Sequence, residues 1–259
     1  MDVRTALTAE CQERASCRST DLPTLPIAPT SQTRSGQTLR QGALVPSRLP
    51  GLTLNTAPGF VPSSWIVTDL ADKGWSTIPG FLSAASIYAL AAEARSLWQD
   101  KAFHPASVGR GYGEQRRTET RSDHVLWLDD ETASVAQIDY LSHMEAMRLQ
   151  IESELFLGLV TLEAHLALFP VGAFYRRHKD ALVGAQTRVL SAVLYLNDAW
   201  TTDDGGALRL YQSSNGGELS HDIAPIGGML VLFLSAELEH EVLPASRERI
   251  SISGWMLRR

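Results

Sequence analysis

Residues 161–180 read TLEAHLALFPVGAFYRRHKD, and this stretch decides the fold. Up to Phe169 the residues follow a period of two, that of a strand whose successive side chains face opposite sides. Pro170 and Gly172 interrupt the run, and residues 174–180 read as a second strand. The same period returns at 187–197, 207–211, 219–223, 228–234, 240–243 and 249–256. Turn-forming clusters separate these runs, as at Asp203-Asp204-Gly205-Gly206 and Ser214-Asn215-Gly216-Gly217. Eight such strands after a helical region predict an α+β, mainly β fold. The pattern fits a double-stranded β-helix, or jelly roll, with N-terminal helices packed on one sheet.

Upstream, the period changes to that of helices. One helix is expected over 134–157, with Ile138, Leu141, Met144, Met147, Ile151 and Leu155 inward and Gly158 near its stop. An earlier one begins with Ser83 as N-cap and places Ile87, Leu90, Ala91, Ala94, Leu97 and Trp98 on one face. Short strands are expected at 75–79 and 125–128. Residues 102–121 carry Gly109, Gly111 and Gly113 among Arg110, Arg116, Arg117 and Arg121. They read as a long loop, either a solvated surface segment or a functional lid.

The first sixty residues differ from the rest. They hold six of the twelve prolines, no aromatic residue before Phe60 and no sustained period. Such a stretch cannot bury enough apolar surface to offset its ordering entropy, so a disordered extension is expected. The domain plan is therefore an extension over 1–60, a helical support region over 61–160 and a jelly-roll core over 161–259. The extension has arginine but no lysine, a faint likeness to an organelle transit peptide, against which Asp2, Glu10, Glu13 and Asp21 stand.

Composition narrows the function. Hydrophobic residues make up 44%, enough for a sizeable core. The formal charge of -6 argues against a general polyanion binder, and no nucleic-acid partner is expected. No apolar run approaches the roughly 20 residues that span a bilayer, so no membrane partner is expected either. Cys11 and Cys17 are the only cysteines, which leaves no disulfide framework and no Cys-rich zinc site. A reducing, cytoplasmic setting fits, with no secretory h-region near the start.

The chemistry begins at His178-Lys179-Asp180. Two residues apart on a strand, an imidazole and a carboxylate point to the same face and can grip one metal ion. Alone the motif is weak, since a surface histidine on a polar strand reads the same way. His240 changes the balance, because distant strands pair in a jelly roll and can bring it beside the first two. Two His and one carboxylate leave about three positions open on an ion, the arrangement of non-haem Fe(II) oxygenases. Zinc is the rival metal, but hydrolysis needs a general base for which no candidate stands out. Arg249 heads the apolar run Ile250-Ser251-Ile252-Ser253-Gly254-Trp255, and a buried guanidinium needs an anion. That anion is either a core carboxylate or, beside such a triad, the carboxylate of a ligand held in a bidentate fork.

These segments together resemble a known family. They are FYRRHKD at 174–180, LYLN at 194–197, DGGALRLY at 204–211, VLF at 231–233, HEV at 240–242 and Arg249 with Gly254-Trp255. They look like the prolyl 4-hydroxylase-like branch of the 2-oxoglutarate oxygenases, and within it the EGL-nine type and its bacterial relatives, over roughly residues 75–259. The resemblance implies His178, Asp180 and His240 as iron ligands and Arg249 as the partner of the far carboxylate of 2-oxoglutarate. It implies Tyr195 as a hydrogen-bond donor to the same group, Tyr175 before the first iron ligand and Trp255 as an aromatic of the cosubstrate pocket. Asp123, Trp127 and Arg188 fall on the substrate side, and the 102–121 loop matches one that covers substrate. Phe169 departs from the pattern, standing where the EGL-nine enzymes have a tyrosine.

The implied cofactors are Fe(II), 2-oxoglutarate and ascorbate. The implied partners are O2 and a prolyl residue in a protein or peptide, with release of succinate and CO2. Alternatives are the same chemistry on a free amino acid or small natural product, or a jelly-roll binding module without catalysis. His165, Arg116 and Arg117 read as structural or solvated residues.

Overall fold

Ser83 and Ser134 begin the two longer helices, each with its hydroxyl turned back onto the first turn. In this computed structural model, which describes residues 64–107, 117–181, 187–214 and 217–259, Ser83 Oγ accepts from the Ser86 amide at 3.0 Å. Ser134 Oγ accepts from the Gln137 amide at 3.2 Å. Both bonds satisfy N–H groups that a helix start leaves without a partner. The described helices are α1 (Ser64–Lys73), α2 (Ala84–Gln99) and α3 (Val135–Leu155). The 1–60 extension, and Gly109, Arg110, Gly111, Gly113 and Arg116 of the long loop, lie outside the described residues.

Two helical expectations need correction. Helix α1 has no counterpart in the sequence reading; it buries only Ile66 and Leu70, one i, i+4 pair, too short a pattern to stand out. Helix α3 buries Gln137, Tyr140, Met144, Met147, Arg148, Ile151 and Leu155, so its inward stripe is rotated away from Ile138 and Leu141. Polar pairing explains the rotation. The Gln137 amide donates to Glu93 on α2 at 2.7 Å, and Arg148 donates to both oxygens of Glu145 and to the Leu159 carbonyl. These partners let two polar residues occupy core positions. The helix stops at Phe156, left-handed at φ 52°, two residues before the glycine expected to end it.

The strands are β1 (Trp75–Ile78), β2 (His104–Pro105), β3 (His124–Trp127), β4 (Thr161–Phe169), β5 (Tyr175–His178) and β6 (Arg188–Tyr195). They continue with β7 (Leu208–Ser214), β8 (Gly217–Ile223), β9 (Leu230–Leu234), β10 (Glu239–Val242) and β11 (Arg249–Leu257). Each expected strand is present, some with shifted ends. All pairs are antiparallel. They build a seven-stranded sheet, β1-β9-β6-β11-β4-β3-β2, and a four-stranded sheet, β5-β10-β7-β8. This is the jelly roll.

Helix α1 packs on β1 and β9 of the larger sheet and against α3. Burial on both faces explains why β9 reads as the unbroken run LVLFL rather than an alternation. Ala167, Phe169, Tyr195, Val231 and Phe233 of the larger sheet meet Leu208, Leu210, Ile223 and Val242 of the smaller one in a shared core. Directly opposed residues of an antiparallel pair share a face. The registers Arg249↔Phe169, Ser253↔His165 and Trp255↔Glu163, with Ser251↔Tyr195 and Trp255↔Ser191, therefore put all these side chains on the face toward the smaller sheet. Among the described residues, no helix is long and apolar enough to cross a membrane.

Candidate metal and anion site

Strand β10 lies between β5 and β7, in a register that sets His240 opposite His178. Asp180 stands beyond the end of β5, not within a strand as its sequence spacing implies, and reaches the same point from a bend. The nearest potential ligand atoms of His178, Asp180 and His240 all lie within 4.8 Å of one another. Asp180 Oδ1 is 3.6 Å from His178 Nε2, and Oδ2 is 3.6 Å from His240 Nε2. On the far side of each ring, Nδ1 meets a backbone carbonyl: Arg176 O at 2.7 Å and Leu238 O at 3.4 Å. A carbonyl only accepts, so Nδ1 carries the proton and Nε2 keeps its lone pair turned inward.

Charge follows the same plan. Burial and then His178 lower the His240 pKa to about 4, so its ring is neutral near pH 7. Burial raises the Asp180 carboxyl, but His240, His178 and the Ser191 hydroxyl outweigh it and hold the group well below the ordinary range. Two imidazoles with Nε2 turned inward and one carboxylate are the ligand set that suits Fe(II) with open positions. Each ligand is braced by its surroundings. The Tyr175 ring stacks on His178 at 3.6 Å between centroids. Phe233 packs edge-on to His240 at 4.6 Å, and Ser191 Oγ donates to Asp180 Oδ2 at 2.7 Å.

The second part is an anion pocket. Arg249 is 2% exposed, and its Nε donates to the Gly206 carbonyl at 3.0 Å. Its guanidinium lies 4.9 Å from the Phe169 ring centre and 5.0 Å from that of Tyr195. Gly206 is required here: a Cβ would come 2.9 Å from the Ala245 Cβ and 3.1 Å from the Trp200 ring, at a φ of +69°. Among the described residues no carboxylate makes a salt bridge to Arg249, which removes the core-carboxylate alternative. Burial lowers its pKa, yet guanidinium stays charged in proteins. Tyr195 Oη and Ser251 Oγ are buried without a hydrogen bond of good geometry; the Arg249 guanidinium lies close enough to act on the phenol through its charge and a side-chain polar contact. Burial raises the Tyr195 pKa, so it remains a donor.

A buried cation and two orphaned hydroxyls on facing strands fit a ligand carboxylate. Ser191, beside Asp180, and Tyr195, beside Arg249, lie on the same face of β6, so the triad and the anion pocket open onto one side of the larger sheet. The triad and pocket therefore fit iron and 2-oxoglutarate. Sequence reasoning missed Ser251 and Ser191, whose only signal was a polar residue inside an apolar strand.

The third part is the mouth. Arg188 lies 3.4 Å above the Trp255 ring and donates twice to Glu163 Oε1, at 2.9 and 2.8 Å. His165 sits between Trp127 at 4.9 Å and Trp255 at 5.4 Å. Burial, then Arg121 and Arg188, lower its pKa to about 3, so it is a neutral wall residue. Trp127 is 52% exposed. The sequence-expected substrate-side carboxylate is not free: both Asp123 oxygens accept from Arg121, at 2.8 and 2.6 Å. Arg121 in turn lies 4.2 Å from the Tyr175 ring centre. Arg121, paired with Asp123, thus lies against Tyr175, whose ring stacks on His178. Tyr175 is placed at the triad, and Trp255 at the mouth, six residues along β11 from Arg249.

A sequence model of the 2OG-Fe(II) oxygenase superfamily matches residues 164–257. A prolyl-4-hydroxylase from Pseudomonas putida is 44% identical, with a TM-score of 0.68 over 76% of this chain and 98% of its own. A Trichoplax adhaerens prolyl hydroxylase, solved with a peptide fragment of the hypoxia inducible factor oxygen degradation domain, is 26% identical; it covers 75% of this chain and 88% of its own at a TM-score of 0.67. A prolyl 4-hydroxylase from Phytophthora capsici shares the fold at 24% identity and TM-score 0.56, over 76% of this chain and 62% of its own. Fold, ligand triad, anion pocket and these likenesses agree: the chain belongs to the 2OG-Fe(II) oxygenase superfamily, as a dioxygenase of its prolyl 4-hydroxylase-like branch.

Proposed function

We propose that this dioxygenase hydroxylates a prolyl residue within a protein or peptide, releasing succinate and CO2. The observation that carries the reading is the mouth beside the triad: an aromatic floor where, among the described residues, Arg188 and Arg121 are already paired. Glu163 occupies Arg188 and Asp123 occupies Arg121. Such a surface suits the flat apolar face of a pyrrolidine ring with neutral amides on either side. A free amino acid brings a carboxylate and an ammonium that need fixed counter-charges. The mouth offers fewer of them.

In this reading His178, Asp180 and His240 hold Fe(II), and Arg249, Tyr195 and Ser251 hold the far carboxylate of 2-oxoglutarate. Bound together, the iron and the keto acid supply O2 activation coupled to oxidative decarboxylation. The chain's own residues orient and insulate that chemistry. Neutral His240 and ionised Asp180 are ready to ligate at pH 7 without first losing a proton. Arg249, fixed by Gly206, presents its terminal nitrogens in one pose, so the keto acid is held in one orientation. Phe233, Val231 and Leu210 line the enclosed side and exclude water. Trp255, stiffened by Arg188, sets how closely a substrate C–H approaches the triad. Ascorbate, as a reductant sustaining turnover, and a cytoplasmic location belong to the same proposal.

The test incubates the protein, Fe(II) and 2-oxoglutarate with proline-containing peptides and, separately, with free amino acids. Gain of one oxygen on peptidyl proline, read by mass spectrometry together with succinate release, is the expected result. If only free amino acids or small metabolites gain oxygen, the prolyl reading fails.

A further inference from the structure

Asp180 lies past the end of β5, so its orientation depends on what its side chain meets. Ser191 Oγ donates to its Oδ2 at 2.7 Å. Ser191 Oγ is also 2.8 Å from Ser235 Oγ. A carboxylate accepts and a hydroxyl has one hydrogen. Ser191 spends its hydrogen on Asp180, so the second bond must be donated by Ser235. The chain has one sense: Ser235 to Ser191 to Asp180. Both serines are essentially inaccessible, at 0% and 1% exposure.

The backbone fixes the same group of residues. The Ser235 amide donates to the Val189 carbonyl at 3.0 Å, and the Ser235 carbonyl accepts from the Ala181 amide at 3.2 Å. Ser235 thus clamps the segment after Asp180 onto β6. Two hydroxyls so fully buried carry a desolvation penalty that a methyl group would avoid. Nothing in the ladder of β6 or β9 uses either side chain. What they serve is the carboxylate.

We propose that Ser191 and Ser235 are positioning residues of the metal site, locking the Asp180 carboxylate in the orientation that faces His178 and His240. The inference rests on the reading of His178, Asp180 and His240 as metal ligands. Hydrogen bonds of this kind to a ligating group fix its rotamer and tune its affinity. Ser191 touches neither metal nor substrate; it acts through Asp180.

The test titrates Co(II) into the full-length, metal-free protein and follows the visible ligand-field absorption. Ser191→Ala is expected to weaken Co(II) binding by about 10–100-fold and to change the band shape. Ser191→Thr keeps the hydroxyl and is expected to restore both. Ser235→Ala leaves the direct donor but frees its rotation, and should fall between wild type and Ser191→Ala. A role confined to packing would lower the unfolding temperature of Ser191→Ala without changing the Co(II) affinity of the folded protein, and that outcome overturns the proposal. So does a Ser191→Thr variant that binds as weakly as Ser191→Ala. If Ser191→Ala fails to fold, unchanged affinity and spectrum in Ser235→Ala overturn it. His178→Ala is the control: if it binds Co(II) as wild type does, the metal reading itself fails, an outcome separate from the others.

Discussion

Replacing His165 with Met should flatten the loss of stability that the metal-free protein suffers in acid. His165 is 4% exposed, enclosed by Trp127 and Trp255, and its pKa falls from 6.5 to about 3, first through burial and then through Arg121 and Arg188. The unfolded chain takes up this proton near pH 6.5; the folded chain resists it until about pH 3. Between those values the unfolded state binds more protons. The stability linked to the depressed pKa is therefore fully present above pH 6.5 and is lost progressively as pH falls toward 3. At pH 5, about one and a half pH units below the ordinary imidazole value, at about 1.36 kcal/mol per unit, the loss through this residue is about 2 kcal/mol. Methionine has comparable bulk and no proton to exchange. The assay is urea unfolding of both proteins at pH 7 and pH 5 in chelator-treated buffer. His240 and the other titrating groups act in both proteins and cancel when the two pH differences are subtracted. The variant should lose about 2 kcal/mol less than the wild type between the two pH values. Equal losses would mean that the folded protein accepts the proton on His165, and that the enclosure by Trp127 and Trp255 opens in solution.

The anion pocket and the triad yield further tests. Arg249→Lys keeps the charge but loses the planar fork and the Nε anchor on Gly206, removing about 1.5–3 kcal/mol of charge-assisted bonding. An increase of about tenfold to a hundredfold in the 2-oxoglutarate Kd is expected by titration, and an unchanged value would take Arg249 out of the pocket. Tyr195→Phe deletes a buried hydroxyl that makes no hydrogen bond of good geometry, so the stability of the ligand-free protein should change little, while 2-oxoglutarate binding weakens. Loss of stability without loss of binding would count against the pocket. His178→Ala, Asp180→Ala or His240→Ala should each abolish succinate release while circular dichroism shows an intact fold, and near-normal turnover in any one of them under metal-defined conditions would break the triad.

The parts legible in the sequence were those written in local periods. Most strands announce themselves by alternation or by an apolar run between turn residues, and His178 and Arg249 sit on such strands, whereas Asp180 lies past the end of β5. The two N-caps were legible because Ser83 and Ser134 each stand immediately before an apolar-periodic run. Helix α1 was not, since Ile66 and Leu70 are its only buried residues. Nor was the rotation of α3, which depends on Glu93 reaching Gln137 from another helix. Ser191 and Ser251 were invisible for a related reason. Serine is common, and these become meaningful only through registers joining strands far apart in sequence: Ser251 opposite Tyr195, and Ser191 within reach of both Asp180 and Ser235. The pairing of Arg121 with Asp123 had a local signal, two opposite charges two residues apart, but alternation could not tell a bridge from two free groups.

The same alternation explains why the site sits where it does. On β11, Ile250 and Ile252 turn to one face and are fully buried, while Arg249, Ser251, Ser253 and Trp255 turn to the other. One strand thus serves a hydrophobic core and a polar site at once, as a two-sheet fold permits when the sheets diverge enough to admit a ligand. The polar face is not self-satisfied: Tyr195 Oη, Ser251 Oγ and Trp255 Nε1 are all buried without partners. Each such group costs about 1–3 kcal/mol unless something bonds to it. A fold that retains several of them beside an unbridged Arg249 is under-stabilised until an anion arrives. Any ligand that binds only the folded state returns stability by mass action, about 2.7 kcal/mol at a hundred times its Kd. The orphaned donors and the catalytic pocket are therefore one feature. In the proposed assignment Arg249, Tyr195 and Ser251 are the groups that would hold the cosubstrate in a single pose, so affinity for 2-oxoglutarate and rise in stability on its binding should change together when any of these three is altered.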